Sequence, residues 1–362
     1  MKDKILSISF VLFLFLMFIF NILMSDSEIS KTERRKLEQF PEITKNNILN
    51  KSFMEDFDSY VLDQFVLRDY FRQIKANFNY KVFRKIDNNR IYLYNNHIFK
   101  SEYPTNLKSI ESFINKINSI EKYLTPNNKT FYSIIPDKNY YVDNNKYLNI
   151  DYELVYKKIK NINYEYIELR DILKLDDYYK TDTHWKQENL CKVVNRIGET
   201  LDFYTQCNYD KKTFNDFYGV YYGQSALNIK PDTLTYLTNN EILNSEVYYL
   251  ENEKYKNVYI EENLNNLDNY DVFLSGASSY IEITNELNNS GRELVIFRDS
   301  FSSSLAPLLI EHYSKITLID IRYINSESYL KKIKLDDQDV LFIYRTLLDN
   351  NRTTLKTKVV NK

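Results

Sequence analysis

Glycine is scarce in this chain. Among 362 residues there are 5 glycines, 6 prolines, 2 cysteines, 3 histidines and a single tryptophan. So little glycine excludes a collagen-like repeat. It also leaves neither a GxxxxGK[ST] nor a GxGxxG pattern, the glycine-rich turns that cradle nucleotide phosphates. Cys191 and Cys207 are too few for a disulfide framework or a zinc site. They leave open either one bridge in an oxidising compartment or two separate thiols. With only His97, His184 and His312, a histidine-rich metal centre is excluded, and no metal or other cofactor is expected. Charge of either sign is not in surplus: 48 Lys+Arg stand against 50 Asp+Glu, a net charge of −2. A dedicated nucleic-acid binder needs a basic excess to displace counterions from phosphates, so that class is set aside. What remains is 43% hydrophobic and 27% charged, a globular balance. The 33 tyrosines and 22 phenylalanines suit carbohydrate stacking, and biased composition explains them equally well.

One long apolar run opens the chain. Residues 5–24, ILSISFVLFLFLMFIFNILM, carry no charge. A helix rising about 1.5 Å per residue makes this run roughly as long as a bilayer's hydrocarbon core is thick. A cleavable signal peptide is the alternative, with Ser25-Asp26-Ser27 as a poor cleavage site. The run exceeds the ~7–15 residues usual for such a segment, so an uncleaved anchor is expected. Lys2 and Lys4 before the run and Lys31, Arg34, Arg35 and Lys36 after it do not fix its orientation. The body is expected outside the cytoplasm, because the chemistry argued below suits a cell surface.

Residues 25–86 read as a juxtamembrane stalk, broken at Phe40-Pro41, followed by amphipathic helices. Phe53, Phe57, Tyr60, Val61 and Phe65 recur at helical spacing and are expected to pack on the main domain. From 87 to 350, strand and helix patterns alternate. Strands are expected at 91–99, 130–135, 164–169, 293–298, 315–320 and 340–344. Helices are expected at 107–123, 152–162, 186–201 and 301–313. The Asn-, Asp- and Tyr-rich stretch 208–270 reads as irregular with short strands, and 351–362 as a tail. Such alternation predicts an α/β domain with a mainly parallel sheet covered on both faces.

Two segments carry chemistry. Residues 293–320 read strand, turn, helix, strand, and Asp299-Ser300 fall where the strand ends. Ligands bind at the carboxyl ends of parallel strands, so a serine there presents its hydroxyl to the crevice. Backbone N–H groups at a helix start would receive an oxyanion formed by its attack. The plain alternative is an ordinary N-cap. In the second segment, YKTDTHW at 179–185, Asp182 and His184 stand two apart. A carboxylate at that spacing reaches the imidazole Nδ1–H, fixes the tautomer and leaves Nε2 as a base. Together the two segments predict a Ser-His-Asp site.

These segments, with others in order, resemble the DHHW family and the AlgX/AlgJ-type polysaccharide O-acetyltransferases, whose catalytic domains are SGNH-hydrolase-like. The resemblance rests on Glu33-Arg34-Arg35-Lys36-Leu37, Phe40-Pro41, Phe53-Met54, Asp63-Gln64-Phe65 and Leu67-Arg68-Asp69. It continues in Ile135-Pro136-Asp137-Lys138, in Thr181-Asp182-Thr183-His184-Trp185 with Thr183 where the family name has its first histidine, and in Arg298-Asp299-Ser300-Phe301. Leu305-Ala306-Pro307-Leu308, Glu311-His312-Tyr313 and Asp320-Ile321-Arg322-Tyr323 complete it. It implies a three-layer α/β/α domain with Ser300 as nucleophile, His184 as general base and acid, and Asp182 as the orienting carboxylate. Gly276 is the candidate oxyanion glycine, and no asparagine partner is assignable.

Arg298, Tyr222 and Trp185 are candidate substrate contacts. For Arg298 an ion pair with a neighbouring acid is equally open; for Trp185 the other reading is packing, and for Tyr222 a role in holding the fold. His97 and His312 read as structural. The expected activity is O-acetyl transfer to a cell-surface polysaccharide through an acetyl-serine, with acetyl groups relayed by a membrane acyltransferase partner. An acetyl esterase with the same triad, and a non-catalytic carbohydrate-binding or envelope-assembly protein, are the alternatives.

Overall fold

The structure is a computed structural model and describes residues 2–142, 147–251, 254–323 and 335–346; the expected tail at 351–362 lies outside them. The chain divides into two units. One comprises residues 1–89 with 222–230, the other residues 90–221 with 231–362.

The first unit begins with α1 (Lys2–Leu23), a helix of mean hydropathy 2.7 with none of its apolar window buried. A short ribbon follows, β1 (Ile29–Ser30) against β2 (Arg35–Lys36). Then come α2 (Lys45–Leu49), α3 (Ser52–Asp63) and α4 (Arg68–Lys81). Phe53, Phe57 and Tyr60 of α3 surround Phe40 edge-on, with centroids 5.4–6.5 Å away. Three of the five apolar positions read at 53–65 thus meet the stalk's own Phe40, while Phe65 packs edge-on against Phe71 at 5.8 Å. Asp63 holds the unit together: it accepts two bonds from the Arg35 guanidinium at 2.6 and 2.7 Å and one from the Glu38 N–H at 3.0 Å.

The second unit opens with the hairpin β3 (Ile91–Tyr94) and β4 (His97–Lys100). The single extended segment expected at 91–99 is thus two strands. Asn95 and Asn96 turn the chain with φ of 45° and 60°, a conformation asparagine tolerates well. Helix α5 (Leu107–Asn118) starts where the Asn106 side chain accepts the Ser109 N–H at 3.1 Å. Its buried face is Ile110, Phe113, Ile114 and Ile117. β5 (Thr130–Ile135), α6 (Tyr152–Ile159), β6 (Glu165–Tyr166) and α7 (Cys191–Leu201) follow. The irregular region of the sequence contains a regular hairpin, β7 (Asp210–Phe217) with β8 (Asp232–Thr238), around α8 (Val220–Ser225). Strands were expected in this stretch, but as short and irregular ones; β7 is almost wholly exposed, which accounts for its polar residues. Next come α9 (Asn240–Leu243), β9 (Glu246–Tyr249), β10 (Lys254–Lys256), β11 (Tyr280–Thr284), β12 (Glu293–Arg298), α10 (Ser302–Leu305), β13 (Lys315–Ile319) and β14 (Asp339–Arg345).

The main sheet runs β10-β9-β11-β13-β12-β14-β5-β6. From β13 to β6 every pairing is parallel; β11, β9 and β10 extend it antiparallel. Alternation along the strands divides two cores. Leu294, Ile296, Leu341 and Ile343 pack with Val193, Val194, Ile197 and Leu201 of α7 on one face. Val295, Phe297, Val340 and Phe342 pack with α5 and α6 on the other. This is the mainly parallel α/β/α architecture expected from the strand–helix alternation. A disulfide joins Cys191 at the start of α7 to Cys207, with Cα atoms 5.9 Å apart.

Candidate active site

β12 lies inside the parallel half of the sheet, between β13 and β14, and Ser300 follows its carboxyl end. Asp299, fully buried, ties this edge together. One carboxylate oxygen accepts the Phe301 N–H at 3.0 Å and the other the Arg345 N–H at 2.9 Å, linking the ends of β12 and β14. The helix expected at 301–313 is only four residues of α-helix before the Ala306–His312 stretch tightens into 3₁₀. Pro307 cannot donate to an α-helical ladder, which accounts for the break. Behind Ser300 there is therefore little helix dipole, and any oxyanion stabilisation falls to individual donors.

Residues 178–186 fold back as a tight loop. Tyr178 and Trp185 form an antiparallel bridge, the Tyr179 N–H donates to the His184 carbonyl at 3.1 Å, and the Lys186 N–H donates to the Asp177 carbonyl at 2.7 Å. This loop delivers the pair at 182 and 184 to Ser300. His184 Nε2 lies 2.9 Å from Ser300 Oγ, and His184 Nδ1 lies 2.6 Å from Asp182 Oδ1. With Nδ1–H donating to the carboxylate, Nε2 is left to accept the serine proton. Asp182 also accepts the His184 N–H at 3.0 Å and the Val220 N–H at 2.8 Å, which leaves the carboxylate little freedom to rotate. The imidazole lies flat against the Tyr270 ring, 3.8 Å away at 8°, and Phe301 tilts against it at 4.9 Å. Asp182 is buried, whereas Ser300 is half-buried and so open to a reactant.

The loop is held from beneath by two charged side chains. Lys138 Nζ donates to three of its carbonyls: Tyr179 at 3.0 Å, Lys180 at 3.3 Å and Asp182 at 2.7 Å. Burial pushes this ammonium down to about 7, against the opposing pull of Asp182, Asp232 and Asp137. Asp232, the first residue of β8, accepts the Lys180 N–H and both the N–H and hydroxyl of Thr181, at 2.7–2.9 Å. Gly219 passes so close that a Cβ there would sit 2.3 Å from Asp182 Cβ, and its N–H donates to Thr181 Oγ1 at 2.8 Å. Only glycine allows that approach.

The remaining residues singled out in the sequence have definite places. Trp185 is fully buried and its indole N–H donates to the Phe301 carbonyl at 3.0 Å and to Ser304 Oγ at 2.9 Å. It packs the loop against α10, which corrects the sugar-stacking reading. Arg298 is fully enclosed as well, since a side chain at the end of β12 points into the protein. It donates to Ser303 Oγ at 3.0 Å and the Ser278 carbonyl at 3.3 Å, and it faces Asp320 and Asp299. A contact with an anionic sugar is thereby corrected to an internal charge. Gly276 adopts a left-handed φ of 78° beside Asp271 and its N–H is turned toward the Phe273 carbonyl at 3.4 Å, so an oxyanion role does not follow from its position. Tyr222 belongs to the first unit, where its carbonyl accepts the Ser225 hydroxyl. His97 is buried in the second unit, and burial lowers its pKa; His312 stacks on Phe203 at 4.2 Å.

Sequence reasoning missed Tyr270, Arg345 and the role of Lys138. Arg345 Nη1 donates to Thr183 Oγ1 at 3.1 Å and its guanidinium lies 5.9 Å from the Phe301 ring. A cation is thus placed between the neighbours of His184 and Ser300. Only the Pro136-Asp137-Lys138 motif carried a signal for Lys138.

No protein-family model matches the chain, and no curated protein does. Solved structures do. A DHHW family protein from Eubacterium siraeum superposes with a TM-score of 0.61 at 19% identity, covering 74% of this chain and 94% of that one. Bacillus cereus PatB1, solved also with a sulfonyl adduct, superposes with a TM-score of 0.59 at 15% identity, covering 74% of this chain and all of that one. The O-acetyltransferase domain of Pseudomonas putida AlgJ overlaps more loosely, with a TM-score of 0.39 at 12% identity over 74% of this chain and 95% of that one. The chain has the fold of the DHHW-family structure and of PatB1.

Proposed function

We propose that the chain is a membrane-anchored serine acyl enzyme that transfers acetyl groups to a cell-surface polysaccharide, with its second unit outside the cytoplasm. The observation that carries this reading is the continuous relay from Ser300 Oγ through His184 to Asp182, at 2.9 and 2.6 Å. In the first half-reaction Ser300 Oγ attacks the acetyl carbonyl of a donor while its proton passes to His184 Nε2. The donor's bond to its leaving group breaks, and the imidazolium returns the proton to that group, leaving acetyl-Ser300. In the second, a sugar hydroxyl gives its proton to His184 and attacks the acetyl carbon. Ser300 leaves and is reprotonated. Asp182 keeps the tautomer and stabilises the imidazolium in both halves. The donor side would be served by a membrane acyltransferase that passes acetyl groups across the bilayer.

PatB1, of the same fold, has been solved with a sulfonyl adduct. A sulfonyl electrophile is what an activated serine hydroxyl traps, which makes that reagent class and an activated acetyl ester suitable probes here. The full chain in detergent is to be exposed briefly to the ester and weighed intact beside Ser300→Ala. One added acetyl group, absent from the variant and released faster by oligosaccharide than by water, is the expected result. Release by water alone would make the protein an esterase. A folded protein with no adduct would remove the acyl-enzyme mechanism.

A further inference from the structure

Helix α4 is amphipathic in the opposite sense to a core helix. Its inward stripe is polar: Arg72 donates to the Gly223 carbonyl at 2.8 Å and pairs with Glu33 at 3.1 Å, Asp69 accepts the Thr32 hydroxyl at 2.8 Å, and Asn79 donates to Asn88 at 2.9 Å. Its outward stripe is apolar. Leu67, Phe71, Ile74, Phe78 and Val82 succeed one another at intervals of four and three residues and are 40–62% exposed. A helix in water buries its apolar stripe, so a stripe turned outward points to an apolar neighbour.

Charge and position say which neighbour. From residue 70 to residue 86 there is no Asp or Glu, and apart from the inward Arg72 the cations Lys75, Lys81, Arg84 and Lys85 are all exposed. Lys75 and Lys81 border the stripe on either side and are exposed, as are Phe83 and Ile86 just beyond the helix. Apolar residues flanked by cations characterise a helix lying in a bilayer interface with anionic headgroups. The stripe also begins beside the end of α1. The Val66 N–H donates to Asn21 Oδ1 at 2.9 Å, the Tyr60 hydroxyl donates to Asp26 at 3.1 Å, and Gln64 exchanges bonds with the Ser27 backbone at 2.9 and 3.0 Å. Leu67 follows this junction directly.

We infer that α4 and the segment to Ile86 lie on the lipid surface where α1 leaves it, the apolar stripe among the acyl chains and the cations among anionic phosphates. The inference rests on the proposal that α1 spans the membrane, and the experiment separates the two. Cys191 and Cys207 are joined, so one introduced cysteine is the single reactive thiol. Full chains carrying Phe71→Cys, Ile74→Cys, Phe78→Cys, Gln73→Cys or Phe13→Cys are labelled with a polarity-sensitive fluorophore. They are reconstituted into vesicles of phosphatidylglycerol and phosphatidylcholine, and the latter is then replaced by its acyl-brominated form. Loss of most emission at 71, 74, 78 and 13, with Gln73→Cys unaffected, is the expected result. Quenching at 13 alone would overturn the surface helix and keep the anchor. No quenching at any site would overturn both. Labels at 71, 74 and 78 shielded from an aqueous quencher yet insensitive to bromine would mean that protein covers the stripe, and would also overturn the inference.

Discussion

The hydrogen-bonded set Ser300–His184–Asp182 rests on a carboxylate with little freedom to rotate. Asp182 accepts bonds from the His184 ring, the His184 N–H and the Val220 N–H, while Gly219 presses against its Cβ. Asp182→Asn preserves this shape but removes the negative charge that stabilises the imidazolium formed when His184 takes the serine proton. Acetyl transfer is expected to fall by about 10⁴-fold. Initial rates of acetyl-Ser300 formation check this, with circular dichroism unchanged from the parent. A loss of less than tenfold would mean that His184 is oriented mainly by its stacking on Tyr270. That Ser300, His184 and Asp182 would meet was legible because each stands in a short local pattern. Tyr270 and Arg345 were not, since they reach the site across separations that no local pattern records. For Arg298 and Trp185 the sequence left a substrate contact and an internal role both open, and burial decides for the internal one, because whether a residue beside Ser300 or His184 faces the crevice or the core is set by strand and loop geometry alone.

Among the elements, α7 shows how a covalent tie supplements packing. Its apolar face of Val193, Val194, Ile197 and Leu201 is buried against the sheet, and the Cys191–Cys207 bridge closes a loop with a sequence separation of 16. Closing a loop of that size restricts the unfolded chain by about 3 kcal/mol. Replacing both cysteines with serine is expected to lower stability by that amount in urea unfolding, and reductant is expected to shift the parent equally. Reductant without effect would mean that the unfolded chain is already confined. Strands 130–135 and 293–298 matched their expected limits because both are continuous apolar runs bounded by clear turns. The helix after Ser300 did not, since Pro307 and the tight turn at 299–301 outweighed the apolar spacing. The short strands expected at 208–270 include the longer, paired β7 and β8; their extent was not legible because β7 is exposed along nearly its whole length and so shows no apolar alternation.

At the scale of the whole molecule, two buried neighbours set an unusual response to pH. Burial raises Asp137 to about 6, although the Tyr152 hydroxyl donates to both its oxygens. It lowers Lys138 to about 7. Between its unfolded value of 3.8 and its folded value near 6, Asp137 binds more protons folded than unfolded, so its contribution falls as pH rises. Lys138 has the reverse sign. Between about 7 folded and 10.5 unfolded, the unfolded chain holds the extra proton, so stability rises with pH. Urea unfolding of the full chain is therefore expected to show increasing stability from pH 7 toward about 10. In Lys138→Met that rise disappears, while the fall on the acid side remains. A rise of equal size in the variant would place its origin elsewhere.

The sequence by itself determined the α/β class and the apolar N-terminal helix, and it singled out the three residues that meet, Ser300, His184 and Asp182, because each is written in local periodicity or in a short motif. Tertiary structure alone decided which way those residues face. It extended the parallel half of the sheet with antiparallel β11, β9 and β10. It brought His184 and Ser300, 116 positions apart, to 2.9 Å. It put a buried lysine beneath the 178–186 loop and turned the apolar stripe of α4 outward. The physical reason is the same in each case: periodicity encodes that a face is apolar or polar, whereas the surface it meets is chosen only when distant segments pack.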